Sequence, residues 1–174
     1  MEGYTIIVVI FGVLILFLFI GIYFINRILQ YKIKIDNSFA AIKENLDKRV
    51  DIVSDMIDFL NANLEYEKSY QKRLIKTKEL LLTIKNNKDG VETYKKTEED
   101  IMVFVSLENT YKNLAKNKEY SLIKMAILNN KEKLVYAMDS YDKGVISYNN
   151  YRENKFIYLL SKLCRIPEYD CYNK

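Results

Sequence analysis

Lys48, Arg49 and Asp51 place two cations and an acid within one helical turn. Such a set can form a buried ion network that fixes helix register, or it can lie along a solvated face. On a solvated face, pairs three or four residues apart are worth a few tenths of a kcal/mol each. The other groups with chemical potential are the acids Glu108, Asp139 and Asp142 and the thiols Cys164 and Cys171. Acids at helical spacing read as ordinary solvated charges. Two cysteines seven apart fall short of the four ligands of a zinc site. They are expected as thiols in a reducing cytosol, whereas an outward-facing domain would favour a local disulfide. The chain has no His, which removes the usual base near neutral pH and the commonest nitrogen ligand for metals. No two glycines lie closer than nine residues apart, so no Gly-rich phosphate loop is present. These absences lead to the expectation of no enzyme activity, no cofactor and no metal.

Charge and aromatic content point the same way. Lys+Arg number 27 against 23 Asp+Glu, and Arg27, Arg49, Arg73, Arg152 and Arg165 are scattered rather than gathered on one face. Nucleic-acid surfaces concentrate their base, so no nucleic-acid partner is expected. Mild attraction to anionic lipid is the better of the two functional readings, particularly for Arg27, Lys32 and Lys34, with a solvated surface as the default. The 15 tyrosines accompany abundant Lys, Asn and Ile, all with AT-rich codons, so base composition accounts for the excess. Tyr111, Tyr141 and Tyr148 fall on apolar stripes, where a buried ring with its hydroxyl on a polar partner is expected.

The elements that position these residues begin with Ile6–Ile25, twenty residues without a charge. At about 1.5 Å per residue, that length covers the roughly 30 Å hydrocarbon core of a bilayer. A cleaved signal peptide fits poorly, because residues 1–5 contain no Lys or Arg and Tyr23–Arg27 offers no small-x-small site. The expected organisation is a short tail (1–5), a transmembrane helix (6–25), a helical bundle (26–165) and a C-terminal tail (166–174). Arg27, Lys32 and Lys34 follow the span and no cation side chain precedes it. The positive-inside rule therefore places the bundle in the cytoplasm and the N-terminus outside. Gly12 and Gly21 make no small-xxx-small pair, so the span reads as an anchor rather than a dimerising helix.

Beyond the span, Phe39, Ile42, Leu46, Val50, Val53, Ile57, Leu60 and Leu64 form one helical stripe, continuing to a break at 85–90. Thr97 with Asp100 resembles a capping box and predicts a second helix over 98–116. A weaker interruption at 116–118 precedes a third stripe: Leu122, Met125, Leu128, Val135, Met138, Tyr141, Val145, Tyr148, Arg152, Leu159 and Leu163. It predicts one long helix over 119–163, with Pro167 ending the helical region. Three or four such helices bury their stripes only against one another, as an elongated antiparallel all-α bundle.

Asn37-Ser38-Phe39-Ala40-Ala41-Ile42 and Leu46-Asp47-Lys48-Arg49-Val50-Asp51 resemble the signature stretch of the bacterial LemA family. Tyr111-Lys112-Asn113-Leu114 resembles that family's Tyr-Pro-x-Leu segment. Tyr141-Asp142 and Tyr148-Asn149 resemble its paired Tyr-Asn dipeptides, seven residues apart. Ser54 and Lys112 stand where the family has Pro, Met138 where it tends to have Arg, and Asp142 where it has Asn. The residues carrying the likeness are Phe39, Ile42, Leu46, Lys48, Arg49, Asp51, Tyr111, Leu114, Tyr141, Tyr148 and Asn149. The resemblance implies a single-pass membrane protein with a helical cytoplasmic domain, not a known enzyme. The functional expectation is a membrane-tethered interaction or scaffold module with protein partners of unknown identity. The alternative is a signalling or stress-sensing helper that passes a change at the membrane to a soluble partner.

Overall fold

The computed structural model describes residues 2–63, 68–84, 91–154, 157, 158, 161, 162 and 166–172, with no side-chain description for 2 and 91–93. They form four α-helices: α1 (Glu2–Asn63), α2 (Lys68–Ile84), α3 (Val91–Thr110) and α4 (Lys118–Arg152). A short 3-10 helix, Lys112–Lys116, precedes α4, and no strand occurs among the described residues. The chain is all-α with bundle-like packing, as the stripes predict.

Helix boundaries differ from those read in the sequence. One helix was expected from Phe39 to Ile84; α1 ends at Asn63 and α2 begins at Lys68. The stripe residue Leu64, the break at 85–90, Leu159, Leu163 and Cys164 lie outside the described residues. α3 begins at Val91, so Thr97 is a buried interior residue rather than a cap. Its hydroxyl donates back to the Tyr94 carbonyl at 2.7 Å, the local bond open to a Thr within a helix. The interruption near 116–118 is real: Asn117 Oδ1 accepts the Tyr120 N–H at 3.0 Å, the bond expected of an N-cap to α4. α4 ends at Arg152 ahead of the predicted end at 163, with a turn at 153–154, and the described residues 157, 158, 161 and 162 are helical again. Ser54, where a family Pro would bend the chain, instead bonds the Val50 carbonyl at 2.9 Å within an unbroken α1.

The chain divides into two compact units. The first combines Met1–Asn37 with Lys143–Cys171. Ile6–Ile25 is exposed there apart from Gly21 and Phe24, which are half-buried. α1 is long and apolar enough to cross a membrane by length and composition. The end of α4 packs antiparallel on α1: a Cβ on Gly144 would sit 3.3 Å from Ile35 Cγ1, and Tyr151 stacks on Tyr31 and Phe24. Only glycine allows that close approach without displacement.

The second unit, Ser38–Asp142 with Tyr172–Lys174, holds the larger core. Its α1 seam is Ile42, Leu46, Arg49, Val53, Met56 and Leu60, all buried at spacings of three and four. Val50 and Ile57, counted into the stripe from sequence, are half-buried neighbours of the true seam positions Arg49 and Met56. α4 runs antiparallel to α1, with Ser38 bonded to Ser140 and Asn45 to Asn130. Its buried face is Tyr120, Ile123, Ile127, Asn130, Leu134, Ala137, Met138 and Tyr141. Leu122, Met125, Leu128 and Val135, assigned to the core from sequence, are exposed on the opposite side. Two apolar stripes interleave along α4, and only one can face inward.

Candidate functional site

The centre of the second unit is polar. Arg49 is 1% exposed, although it occupies a seam position that normally takes Leu or Ile. Its Nη1 donates to Asn130 Oδ1 at 2.7 Å, and its Nη2 donates to Glu98 Oε2 on α3. The guanidinium also lies 5.6 Å from the centre of the Tyr94 ring. Around this pair, Tyr94 Oη donates to Glu98 Oε2 at 3.2 Å and Asn130 Nδ2 to the Asn45 carbonyl at 2.9 Å. Lys131 Nζ stands 3.2 Å from Glu98 Oε1. One cation thus joins α1, α3 and α4, while Arg49 Nε has no hydrogen bond among the described residues. Burial holds the guanidinium below its ordinary pKa, with Tyr94 opposing the shift. Burial likewise pushes the Tyr94 phenol up.

The network's partners are not those that sequence spacing placed beside Arg49. Lys48 is exposed and pairs with Glu44 at 2.6 Å, and Asp51 is exposed. Glu98 and Asn130 were missed, because neither is near Arg49 in sequence. A readable signal existed for Glu98. It follows Tyr94 by four and precedes Ile101 by three, an acid set into an apolar stripe as Arg49 is set into that of α1.

The remaining motif residues are structural in placement. Ile42 and Leu46 are core, and Phe39 packs on Tyr141 with ring centres 5.9 Å apart. Tyr172 meets Tyr141 edge-on at 6.3 Å, and its N–H bonds Asp142 Oδ1. Tyr111 closes α3, its N–H on the Leu107 carbonyl, and its own carbonyl accepts the N–H of buried Leu114 at 2.9 Å to begin the 3-10 helix. In the first unit, buried Tyr148 donates to the Pro167 carbonyl at 2.6 Å, and Asn149 Nδ2 donates to the Tyr169 carbonyl at 2.8 Å. The second Tyr-Asn pair is a clamp on the C-terminal segment.

A separate surface feature lies between α3 and α4 of the second unit. Leu128, Val135, Tyr136 and Met138, flanked by the charged Lys95, Lys131, Glu132 and Asp139, line a groove of about 800 Å³ that also reaches Tyr94. It continues the exposed side of α4, where Tyr136 is 76% exposed. Among the described residues, no group of three or more His, Cys, Asp or Glu is placed to hold a metal ion.

No curated protein and no solved structure matches the chain. The model of the LemA family matches residues 38–173, most of the chain and every motif residue from Phe39 to Asn149. The protein therefore belongs to the LemA family.

Proposed function

We propose that the protein is a single-pass, membrane-anchored helical interaction module. The observation that carries this reading is the uncovered apolar stretch Ile6–Ile25 at the start of α1. Twenty uncharged residues, seventeen of them Ile, Val, Leu or Phe and nearly all exposed, far exceed the apolar patch a monomer leaves to water. A bilayer covers them, and a helix satisfies its own backbone there. Arg27, Lys32 and Lys34 hold the following residues on the cytoplasmic side. The exposed stripe of α4 with its groove is the surface proposed for protein partners.

The module is proposed to be non-catalytic. Glu108 is paired with Lys124 at 2.5 Å, and Asp142 is occupied by the Tyr172 N–H. The signalling alternative draws on α1 running without a break from Glu2 to Asn63.

Sidedness and partner capture test the proposal. With Gly3→Cys and Tyr136→Cys variants, an impermeant maleimide should label Gly3→Cys in intact cells and Tyr136→Cys only after permeabilisation. Labelling of Tyr136→Cys in intact cells would overturn the cytoplasmic assignment. A stoichiometric partner recovered in mild detergent, and lost when Met125 and Val135 are changed to Glu, supports the module. Capture unaffected by those changes would remove α4 as the docking surface.

A further inference from the structure

We infer that the end of α4 and the helical turn after it make a second contact with the bilayer, at the level of the lipid headgroups beside the span. This rests on the reading of Ile6–Ile25 as a transmembrane helix. Within the first unit, α4 approaches the span as its residue numbers rise: Gly144 meets Ile35, then Tyr151 meets Tyr31 and Phe24. The Tyr151 ring centre is 5.4 Å from that of Tyr31 and 6.3 Å from that of Phe24. Phe24 is the last residue but one of the apolar stretch. Tyr31 is seven residues further on, about 10 Å along the helix. Tyr151 therefore bridges the level where hydrocarbon gives way to headgroups.

Asn154 N–H bonds the Tyr151 carbonyl and Tyr158 N–H bonds the Asn154 carbonyl at 2.8 Å, which carries the backbone two helical steps on. Ile166 then bonds back to Ser161, and Pro167 and Tyr169 lie on Tyr148 and Asn149. Ile157 and Ser161 point inward, while Tyr158 is 50% exposed with Lys162 Nζ 6.0 Å from its ring centre.

An exposed Tyr beside a Lys is the chemistry of the membrane interface. The ring sits at the acyl boundary, and the ammonium extends to the phosphates. On the α1 side, Tyr23 is exposed and, just past the apolar stretch, Arg27 lies over the Tyr31 ring at 5.3 Å, the same kind of pairing. Anionic headgroups would add attraction for Lys162 and Arg27.

Single-tryptophan depth measurement tests this, since the chain has no Trp of its own. The full chain is reconstituted in phosphatidylcholine vesicles, with and without phosphatidylglycerol, as Phe17→Trp, Tyr136→Trp or Tyr158→Trp. Quenching is read with nitroxides on the headgroup or deep in the acyl chain. Phe17→Trp should lose fluorescence to the deep probe and Tyr158→Trp to the headgroup probe, while Tyr136→Trp should respond to neither. Adding Lys162→Glu should weaken headgroup quenching of Tyr158→Trp in phosphatidylglycerol vesicles and leave Phe17→Trp unchanged. If Phe17→Trp is quenched but Tyr158→Trp behaves like Tyr136→Trp, the second contact is overturned and the span stands. If Phe17→Trp is not quenched, the span itself fails and the inference falls with it.

Discussion

Arg49 of α1 and Glu98 of α3 form an ion pair inside the core of the second unit, with the far side of the guanidinium held by Asn130 of α4. Placing an arginine at a seam position costs desolvation that its partners only partly return, so a buried pair is weak evidence for stability. Its consequence is register. Sliding α1 by one residue would bring Val50 to the seam and strand Arg49 away from Glu98 and Asn130. The apolar residues Leu46 and Val53 could tolerate such a slip far better than the charged group between them.

Removing one partner should therefore be worse than removing both. Arg49→Met is expected to cost roughly 3–5 kcal/mol, toward the lower figure because Lys131 still faces Glu98. Arg49→Met combined with Glu98→Leu should regain much of that loss. Denaturant unfolding of the full chain in detergent measures both. A single variant as stable as the parent would remove the pair from the account of this core.

Tyr148 and Asn149 make a local prediction. Both bond backbone carbonyls of the C-terminal segment, at Pro167 and Tyr169. Tyr148→Phe keeps the ring against Tyr169 and should cost about 1 kcal/mol, the net worth of one hydrogen bond. With Asn149→Ala added, hydrogen exchange at 168–172 should accelerate while the seam of α1 stays protected. Equal acceleration in both places would show that the clamp supports the whole fold.

The long apolar N-terminal helix, the helical class and the bundle were legible in the sequence because each follows from a long-range pattern of apolar residues. The errors in assigning the core have one cause, which is that apolarity was taken as a proxy for burial. Val50 was chosen over Arg49, although a long apolar stem lets Arg occupy a seam when its head is paired. Along α4, Leu122, Met125, Leu128 and Val135 are as apolar as Ile123, Ile127 and Leu134, so periodicity alone cannot tell which set faces inward. Thr97 read as a cap because its helix was expected to begin there; the true start lies six residues earlier, without a strong signal. Glu98 as the partner of Arg49 is a tertiary fact, 49 residues distant in the chain.

Buried phenols make the fold sensitive to alkali. Burial raises the pKa of Tyr70, Tyr94, Tyr120 and Tyr148 above the ordinary value. Below about pH 10 these groups keep their protons in both states, and their contribution to stability is fully present. As pH rises past that point, the unfolded chain releases protons that the folded chain retains, so stability falls until the raised folded values are passed. The lowered Arg49 value acts in the opposite sense, but it begins from a much higher ordinary pKa and is one group against four. Unfolding free energy should therefore be flat from about pH 7 to 9 and decline above about 10. Tyr70→Phe should reduce the slope of that decline while costing stability at neutral pH, because its hydroxyl bonds the Asp100 carbonyl at 2.8 Å. Denaturant titrations across that range decide the matter. A profile flat to about pH 11 would mean that the folded and unfolded chains release these protons together, so that burial does not raise the phenol pKa values.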